Sequence, residues 1–229
     1  NALQELNRCK EALARYEEAT GIYRALIGAS EPQHRRNLAI VRVNEANALA
    51  ELHRPREALV RCRYAARIFR ALIGEGQLEG RPDLAGARTN EGIALCDLNR
   101  PSEALPCFEE VTKIYRDLLG ENQPQYRPDL ARTRMHECYV LCGLHRPSEV
   151  FARYEEAAGI YRTLIVADKP QYRPDLARTR MNEGNALSCL NRPGKALARY
   201  RYAAHIFRIL IGENQPHCRP YLALTLMNS

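Results

Sequence analysis

The chain has 229 residues, of which 45% are hydrophobic, and its formal net charge is +7. Lys and Arg together number 34, only four of them Lys, against 27 Asp and Glu, so the basic charge is carried by arginine. Charged residues recur every few positions, and no apolar run approaches the roughly 20 residues that a membrane-spanning helix needs. We therefore expect a globular protein with no membrane partner.

One segment recurs along the chain with a period of 46 residues. The residue that begins the short turn inside each copy falls at regular steps: Asn7, His53, Asn99, His145 and Asn191. A fixed period of this size indicates stacked supersecondary units. We expect a single array over 1–229, in which a partial unit follows five larger ones: 1–34, 35–80, 81–126, 127–172, 173–218 and 219–229. Because the first unit begins partway through the pattern, the chain is expected to be a fragment of a longer protein.

Each unit holds two amphipathic helical stretches. In the first unit, residues 1–6 match the back half of a first helix, and residues 8–28 carry apolar side chains at the i, i+4, i+7 spacing of a second helix. In the second unit, the pattern predicts helices at about 36–52 and 55–73. The later first helices are predicted to begin at an Arg-Pro pair, at Arg81, Arg127, Arg173 and Arg219.

Proline and glycine mark the predicted helix boundaries. Proline suits the first turn of a helix, whose N–H groups lack partners, and each second helix is predicted to begin at one: Pro55, Pro101, Pro147 and Pro193. Glycine suits helix ends, and the second helices are expected to stop at Gly28, Gly74, Gly120 and Gly212, with Val166 replacing Gly in the fourth unit. The fold class is therefore all-α, an α-solenoid of antiparallel helix hairpins with about ten or eleven helices.

The packing residues of the unit resemble those of a known repeat. Gly184, Ala186, Leu187, Ala196 and Tyr200 stand where tetratricopeptide repeats keep their small and large packing residues. The long inter-repeat loop and the Pro-Asp-Leu-Ala helix start resemble the kinesin-light-chain type, although Asn-Glu-Gly replaces Asn-Asn-Leu and Pro replaces the Tyr after the turn. The resemblance implies a right-handed superhelix whose first helices line a concave groove for peptides.

Some positions of the first helices hardly vary between units. Arginine and glutamate recur three residues apart, on one helical face, at Arg42/Glu45, Arg88/Glu91, Arg134/Glu137 and Arg180/Glu183. We interpret them as a ladder of ion pairs that fixes repeat stacking, with each side chain also in reach of the next unit's first helix. The alternative is that these arginines line a binding surface.

Other positions of the first helices vary between units, and they share one stripe. A face that is free to differ is not the packed face, and the resemblance places it in the groove. Asparagine can satisfy a peptide backbone, and Arg132 and Arg178 can grip carboxylates bidentately. The predicted peptide-binding residues are Asn44, Asn47, Asn90, Arg132, His136, Tyr139, Arg178, Asn182 and Asn185. Ordinary solvation, or hydrogen bonds between helices, is the other interpretation of the asparagines.

The sequence offers no constellation for catalysis. It has no glycine-rich phosphate loop and no Ser–His–Asp set, and the six histidines fall in turns, loops or isolated positions. None of the eight cysteines forms Cys-x-x-Cys. We expect reduced, mostly buried thiols in a cytoplasmic non-enzyme, without metal or cofactor. The thiols singled out are Cys96, Cys107, Cys138 and Cys142.

The leading functional hypothesis is a protein–protein interaction scaffold that binds an unknown peptide or protein segment with acidic groups. One alternative is a self-assembling array, because Leu224, Leu226 and Tyr221 make the last helix more apolar than its copies. This pattern predicts end-to-end association through the terminal helices. Nucleic-acid binding through arginine is the least favoured, because the arginine positions are matched by acidic ones and the aromatic residues lie mostly on core-facing second helices.

Overall fold

The computed structural model describes the backbone of residues 2–229 and the side chains of residues 7–146 and 148–229. Ten α-helices and no strands occur in this part of the chain. The helices are α1 (Ala2–Gly28), α2 (Arg35–Glu51), α3 (Pro55–Gly74), α4 (Arg81–Asp97), α5 (Pro101–Gly120), α6 (Arg127–Gly143), α7 (Val150–Val166), α8 (Arg173–Cys189), α9 (Pro193–Gly212) and α10 (Arg219–Met227).

Helix starts follow the period of the sequence. The first helices begin at every forty-sixth residue, from Arg35 to Arg219, as predicted. A 3-10 turn precedes each of them, as at Pro124–Tyr126 before α6. Prolines begin α3, α5 and α9, whereas Pro147–Glu149 forms a 3-10 turn and α7 starts at Val150. The all-α hairpin architecture predicted from the sequence is confirmed.

Residues in the left-handed region end the helices. The turn inside each later hairpin has φ near +55° at His53, Asn99, His145 and Asn191. The turn between hairpins has positive φ at Ser30, Gly76, Asn122, Asp168 and Asn214. The second helices end at the predicted residues, from Gly28 to Gly212. The left-handed residue stands two positions later, and it is Ser, Asn, Asp or Gly.

The first helix departs from the predicted hairpin. Residues 1–6 and 8–28 were expected to form two helices, but α1 runs without a break through Asn7 from Ala2 to Gly28. Cys9 stands where every later unit has a proline, at or just before the start of its second helix. Cysteine keeps the backbone N–H that proline lacks, so the hydrogen bonds of the helix are uninterrupted and the helix continues.

Two compact units are present, Asn1–Glu121 and Asn122–Ser229. In the first unit, consecutive helices from α1 to α5 pack on each other, and Phe69 of α3 is fully buried against Ala39 of α2 and Leu84 of α4. In the second unit α7 packs on both α6 and α8, with Ala157 and Leu164 in the shared core. Helices α3 and α7 thus each lie between two first helices of their own unit and set the spacing between them.

Glycine allows the closest approach of helices within a hairpin. A Cβ atom on Gly184 would lie 2.5 Å from the Tyr200 ring, and one on Gly92 would lie 2.6 Å from Phe108. Distances this short are not tolerated by real Cβ atoms, so a large ring on the second helix requires glycine on the first. In the second repeat the same two positions hold Ala46 and Cys62, a larger residue facing a smaller one.

Candidate functional site

The constant arginines and glutamates of the first helices form buried ion pairs. In α6, Arg134 contacts Glu137 at 2.6 Å, and Glu137 is completely buried. Arg153 of α7 contacts the same carboxylate at 2.7 Å, while Arg134 also reaches Glu156 of α7 at 2.6 Å. The pairing within the first helix recurs at Arg42–Glu45, Arg88–Glu91 and Arg180–Glu183. These arginines are committed to holding helices together, so they are structural.

The further partners of these pairs come from second helices, not from the next first helix. The contact made by Arg153 recurs at Arg61–Glu45 and Arg199–Glu183. In the third repeat Cys107 stands at this position, and Arg63 of the preceding second helix contacts Glu91 at 3.0 Å instead. Each buried carboxylate therefore meets two guanidinium groups, even where one of the usual arginines is missing.

The nine predicted groove residues all retain exposed surface, and they divide between the two units. Asn44, Asn47 and Asn90 lie on α2 and α4 of the first unit. The others lie on α6 and α8 of the second unit: Arg132, His136, Tyr139, Arg178, Asn182 and Asn185. Asn47, Arg132, Tyr139 and Arg178 are exposed and the rest are half-buried.

Three of the predicted asparagines form hydrogen bonds with asparagines of a neighbouring repeat. Asn90 donates from Nδ2 to Oδ1 of Asn47 over 2.7 Å. Asn185 accepts in the same way from Asn228 at 3.1 Å, and it also accepts from the hydroxyl of Tyr200 at 2.9 Å. The hydrogen bonds between helices that sequence reasoning kept as an alternative are therefore present, and they occupy the carbonyl oxygens of Asn47 and Asn185.

A cleft of about 520 Å³ lies in the second unit, between α6 and α8 and against α7. Five of the predicted residues line it: Arg132, His136, Tyr139, Arg178 and Asn182. Sequence reasoning missed Tyr161 of α7, Tyr172 of the 3-10 turn, and Asp175. We call this cavity the α6–α8 cleft.

Two arginines of adjacent repeats bring positive charge to the α6–α8 cleft. The side chains of Arg132 and Arg178 are 64% and 50% exposed, unlike the buried arginines of the ladder. Arg132 donates one hydrogen bond to Asp129 at 3.0 Å, and Arg178 lies 3.8 Å from Asp175, beyond hydrogen-bond distance. Most of the guanidinium N–H groups are therefore free of these carboxylates.

The titrating groups around the cleft respond to burial and to these two charges. Burial raises the pKa of Asp129, and the nearby Arg132 offsets part of that rise. Burial likewise raises the pKa of Asp175, against the opposing influence of Arg178 and Arg132. His136 is affected most, since burial and then the two arginines lower its pKa to about 4. His136 is therefore a neutral imidazole at pH 7.

Tyrosines form the floor and one wall of the cleft. Tyr161 is only 4% exposed, and its ring stacks on Tyr172 with centroids 6.1 Å apart. Burial raises the pKa of the Tyr161 phenol, and Asp175, Arg132 and Arg178 are among the groups that act on it. Tyr139 on the rim is 71% exposed. The cleft thus combines cationic donors with aromatic surface.

A signal for this cleft is present in the sequence. The twelve residues from Pro124 to Met135 are repeated without change from Pro170 to Met181. The identity extends to Arg132 and Arg178, whereas the same position holds Ile40, Gly86 and Leu224 in other first helices. Comparing first helices alone does not reveal the floor, because Tyr161 belongs to the aromatic column of the second helices.

A second cleft, of about 650 Å³, lies in the first unit between α1 and α2. Asn44 and Asn47 of α2 line it together with Arg8 and Tyr16 of α1. It contains two of the predicted residues but has one arginine where the α6–α8 cleft has two. It is the weaker candidate for an anionic ligand.

The thiols are distributed through the helices. All eight cysteines are free; Cys107 and Cys138 are buried, Cys96 is half-buried and Cys142 is exposed. Burial raises the pKa of Cys107 to about 11, which makes that thiol unreactive at neutral pH. Within the described residues, no group of three His, Cys, Asp or Glu side chains is placed to hold a metal ion, and no helix has the length and apolarity to cross a membrane.

Comparisons with known proteins find a family match for part of the chain and a similar fold in solved structures. Residues 84–125 match the family model of the tetratricopeptide repeat, and no curated protein matches the chain significantly. The fold is similar to a putative kinesin light chain of Podosopora anserina with nearly identical TPR-like repeats, with a TM-score of 0.67, 13% identity and 90% of each chain covered. A variant of that protein with one substituted residue gives a TM-score of 0.68 over the same coverage.

Another similar structure is that of BtubC (BKLC) from P. vanneervenii. It has a TM-score of 0.54 and 16% identity, over 89% of this chain and 92% of that one. At such identities the likeness concerns the fold alone, and it agrees with the hairpins and the 46-residue period described above. Residues 84–125 are therefore similar to a tetratricopeptide repeat, and the chain has the fold of solved kinesin-light-chain-like repeat proteins.

Proposed function

We propose that the chain is a protein–protein interaction scaffold that binds a peptide or protein segment carrying acidic groups. The observation that carries this proposal is the pairing of Arg132 and Arg178, two exposed guanidinium groups of adjacent repeats, at one cleft. A guanidinium group whose N–H donors are not all used within the protein is suited to binding planar acidic groups. The half-buried amide of Asn182 in the same cleft is suited to a peptide backbone.

A peptide library tests this proposal directly. Acidic, neutral and basic peptides of equal length, labelled with a fluorophore, are titrated with the protein at moderate salt. We expect the acidic pool to bind best and the Arg132→Gln, Arg178→Gln double variant to lose about tenfold or more in affinity, because charge-assisted hydrogen bonds are lost.

The matched control removes two arginines of the same unit that lie outside the cleft. Arg201 and Arg208 are exposed on α9 and do not line the cavity. The Arg201→Gln, Arg208→Gln variant has the same net charge as the cleft variant, so it should bind like the parent. If both double variants weaken binding equally, the acidic peptide responds to net charge and not to the cleft, and the proposal fails.

A second candidate function is self-assembly. Helix α10 exposes Leu224, Leu226 and Met227, by 43%, 47% and 83%. Exposed apolar groups at this density favour association with another surface. Nucleic-acid binding has less support, because the most buried arginines are committed to carboxylates.

A further inference from the structure

The guanidinium groups of Arg132 and Arg178 both line the α6–α8 cleft. The number of N–H donors that they offer together bears on the kind of anion that fits. Each guanidinium carries five N–H groups. Arg132 uses one of them on Asp129, and Arg178 makes no hydrogen bond to Asp175. A carboxylate has two oxygens, which one arginine fork satisfies. A phosphomonoester has three oxygens and nearly two negative charges, which match two forks better.

The floor of the cleft supplies another donor. Tyr161 is 4% exposed, and it lines the cleft together with Arg132, Arg178 and Asp175. Asp175, Arg132 and Arg178 are also among the charged groups that act on the pKa of its phenol. An oxygen of a bound anion would accept its hydrogen bond.

The walls of the cleft are suited to an aromatic ring. Tyr172 stacks on Tyr161 from the side of the 3-10 turn, and Tyr139 and Met135 complete the apolar surface on α6. Offset stacking of aromatic rings adds favourable energy beyond the area that is buried. The volume of about 520 Å³ lies within the range of sites that enclose a small ligand.

The two aspartates of the cleft favour a ligand group with two negative charges over one with a single charge. Asp129 accepts a hydrogen bond from Arg132, Asp175 lies 3.8 Å from Arg178, and both carboxylates repel an incoming anion. A carboxylate offers the arginines the same single charge that the aspartates already offer. A doubly charged group interacts with both arginines at once and competes better with the two carboxylates.

We propose that the α6–α8 cleft recognises a phosphotyrosine side chain of a partner segment, with the phosphoryl group between Arg132 and Arg178 and the ring against Tyr139 and Tyr172. This inference rests on the scaffold function proposed above and names the ligand of its main cleft. The hydroxyl of Tyr161 donates to one phosphoryl oxygen.

The test compares three versions of each peptide in a degenerate library, with phosphotyrosine, tyrosine or glutamate at the central position. Binding is measured by fluorescence anisotropy, and phenyl phosphate serves as the competitor. We expect the phosphotyrosine pool to bind at least about tenfold more tightly than the glutamate pool, and phenyl phosphate to displace it. Arg132→Gln and Arg178→Gln should each remove about tenfold in affinity, and Tyr161→Phe a smaller factor, without changing the thermal unfolding midpoint.

The outcomes separate this inference from the scaffold function. Equal affinity for the glutamate and phosphotyrosine pools would overturn the phosphotyrosine assignment and leave an acidic-peptide scaffold. Equal affinity for phosphoserine and phosphotyrosine pools would overturn the role of the aromatic wall. Undiminished binding of the phosphotyrosine pool by the Arg132→Gln, Arg178→Gln variant, with the Arg201→Gln, Arg208→Gln variant as control, would place the ligand elsewhere. Failure of every pool to bind would overturn both proposals.

Discussion

At the scale of single residues, the buried carboxylates show how strongly one side chain can hold a repeat together. Glu137 has no exposed surface and contacts Arg134 and Arg153 at 2.6 and 2.7 Å. Removing one member of a buried ion pair leaves an uncompensated charge. We expect Glu137→Gln to lower the free energy of unfolding by about 3–5 kcal/mol, measured by urea denaturation.

An exposed pair in the same unit is the matched control. Glu149 contacts Arg146 at 2.6 Å, but both side chains are more than a third exposed. Exposed pairs contribute little to stability, so Glu149→Gln should leave the urea midpoint almost unchanged. Equal losses for the two variants would contradict the structural role assigned to the buried pair.

The two glycines that contact aromatic rings lead to a second prediction. Alanine at Gly184 places a Cβ atom 2.5 Å from Tyr200, and this overpacking should cost about 1–3 kcal/mol despite the better helix propensity of alanine. At Gly86 a Cβ atom would meet nothing within 4 Å, so alanine there should stabilise the protein by up to about 1 kcal/mol. Chemical denaturation of the two variants should therefore give changes of opposite sign.

The depressed pKa of His136 predicts a pH dependence of stability. In the folded protein the imidazole is protonated only near pH 4, whereas in the unfolded chain it is protonated near its ordinary value of 6.5. The unfolded state therefore takes up the proton first, and the stability of the fold declines as the pH falls from about 6.5 toward 4. His136→Asn removes this contribution and introduces the residue that other repeats hold there. Its urea midpoint should fall less than that of the parent between pH 7 and pH 5, and an equal fall would contradict the prediction.

At the scale of elements, the sequence predicted the ends of the second helices and most of the helix starts. Starts are marked by prolines and by the period, because a proline ring fits best in the first turn, although α5 also holds Pro106 in its interior. The left-handed residue beyond each helix end is less regular, since Ser, Asn, Asp, His and Gly all occur there. The period alone suggested a helix boundary near Cys9, but this position lacks the proline of the later units, and α1 continues through it.

The left-handed residues give a prediction for the turns. Gly76 has φ of +93°, and its Cβ position is open, so Gly76→Ala should cost about 1 kcal/mol for conformational reasons alone. His53 has φ of +55°, and His53→Gly should stabilise the chain by up to about 1 kcal/mol. Thermal unfolding of both variants tests this, and a stabilising Gly76→Ala would contradict it.

At the scale of the whole molecule, the sequence grouped the nine candidate residues on one stripe but did not reveal the cleft that five of them line. Five of the nine predicted residues converge on the α6–α8 cleft because helices of adjacent repeats present the same column side by side. The cleft also needs Tyr161 from α7 and Tyr172 from a 3-10 turn, and their placement depends on how three elements pack. A pattern read along one helix contains no information about that packing.

The exposed apolar residues of α10 predict self-association of this chain. Leu224 and Leu226 are 43% and 47% exposed, and both replace arginines of the corresponding positions in α8, Arg178 and Arg180. Burying such side chains against a second copy contributes about 25 cal/mol per Å² of apolar area, while the arginines of α8 would have to be desolvated. We expect light scattering to show a mass that rises with protein concentration, and Leu224→Arg with Leu226→Arg to return the chain to a monomer.

Val60→Arg is the control, because Val60 is 58% exposed on α3 and lies far from α10 in sequence. A monomeric mass at millimolar concentration, or equal dissociation by the control, would contradict association through α10.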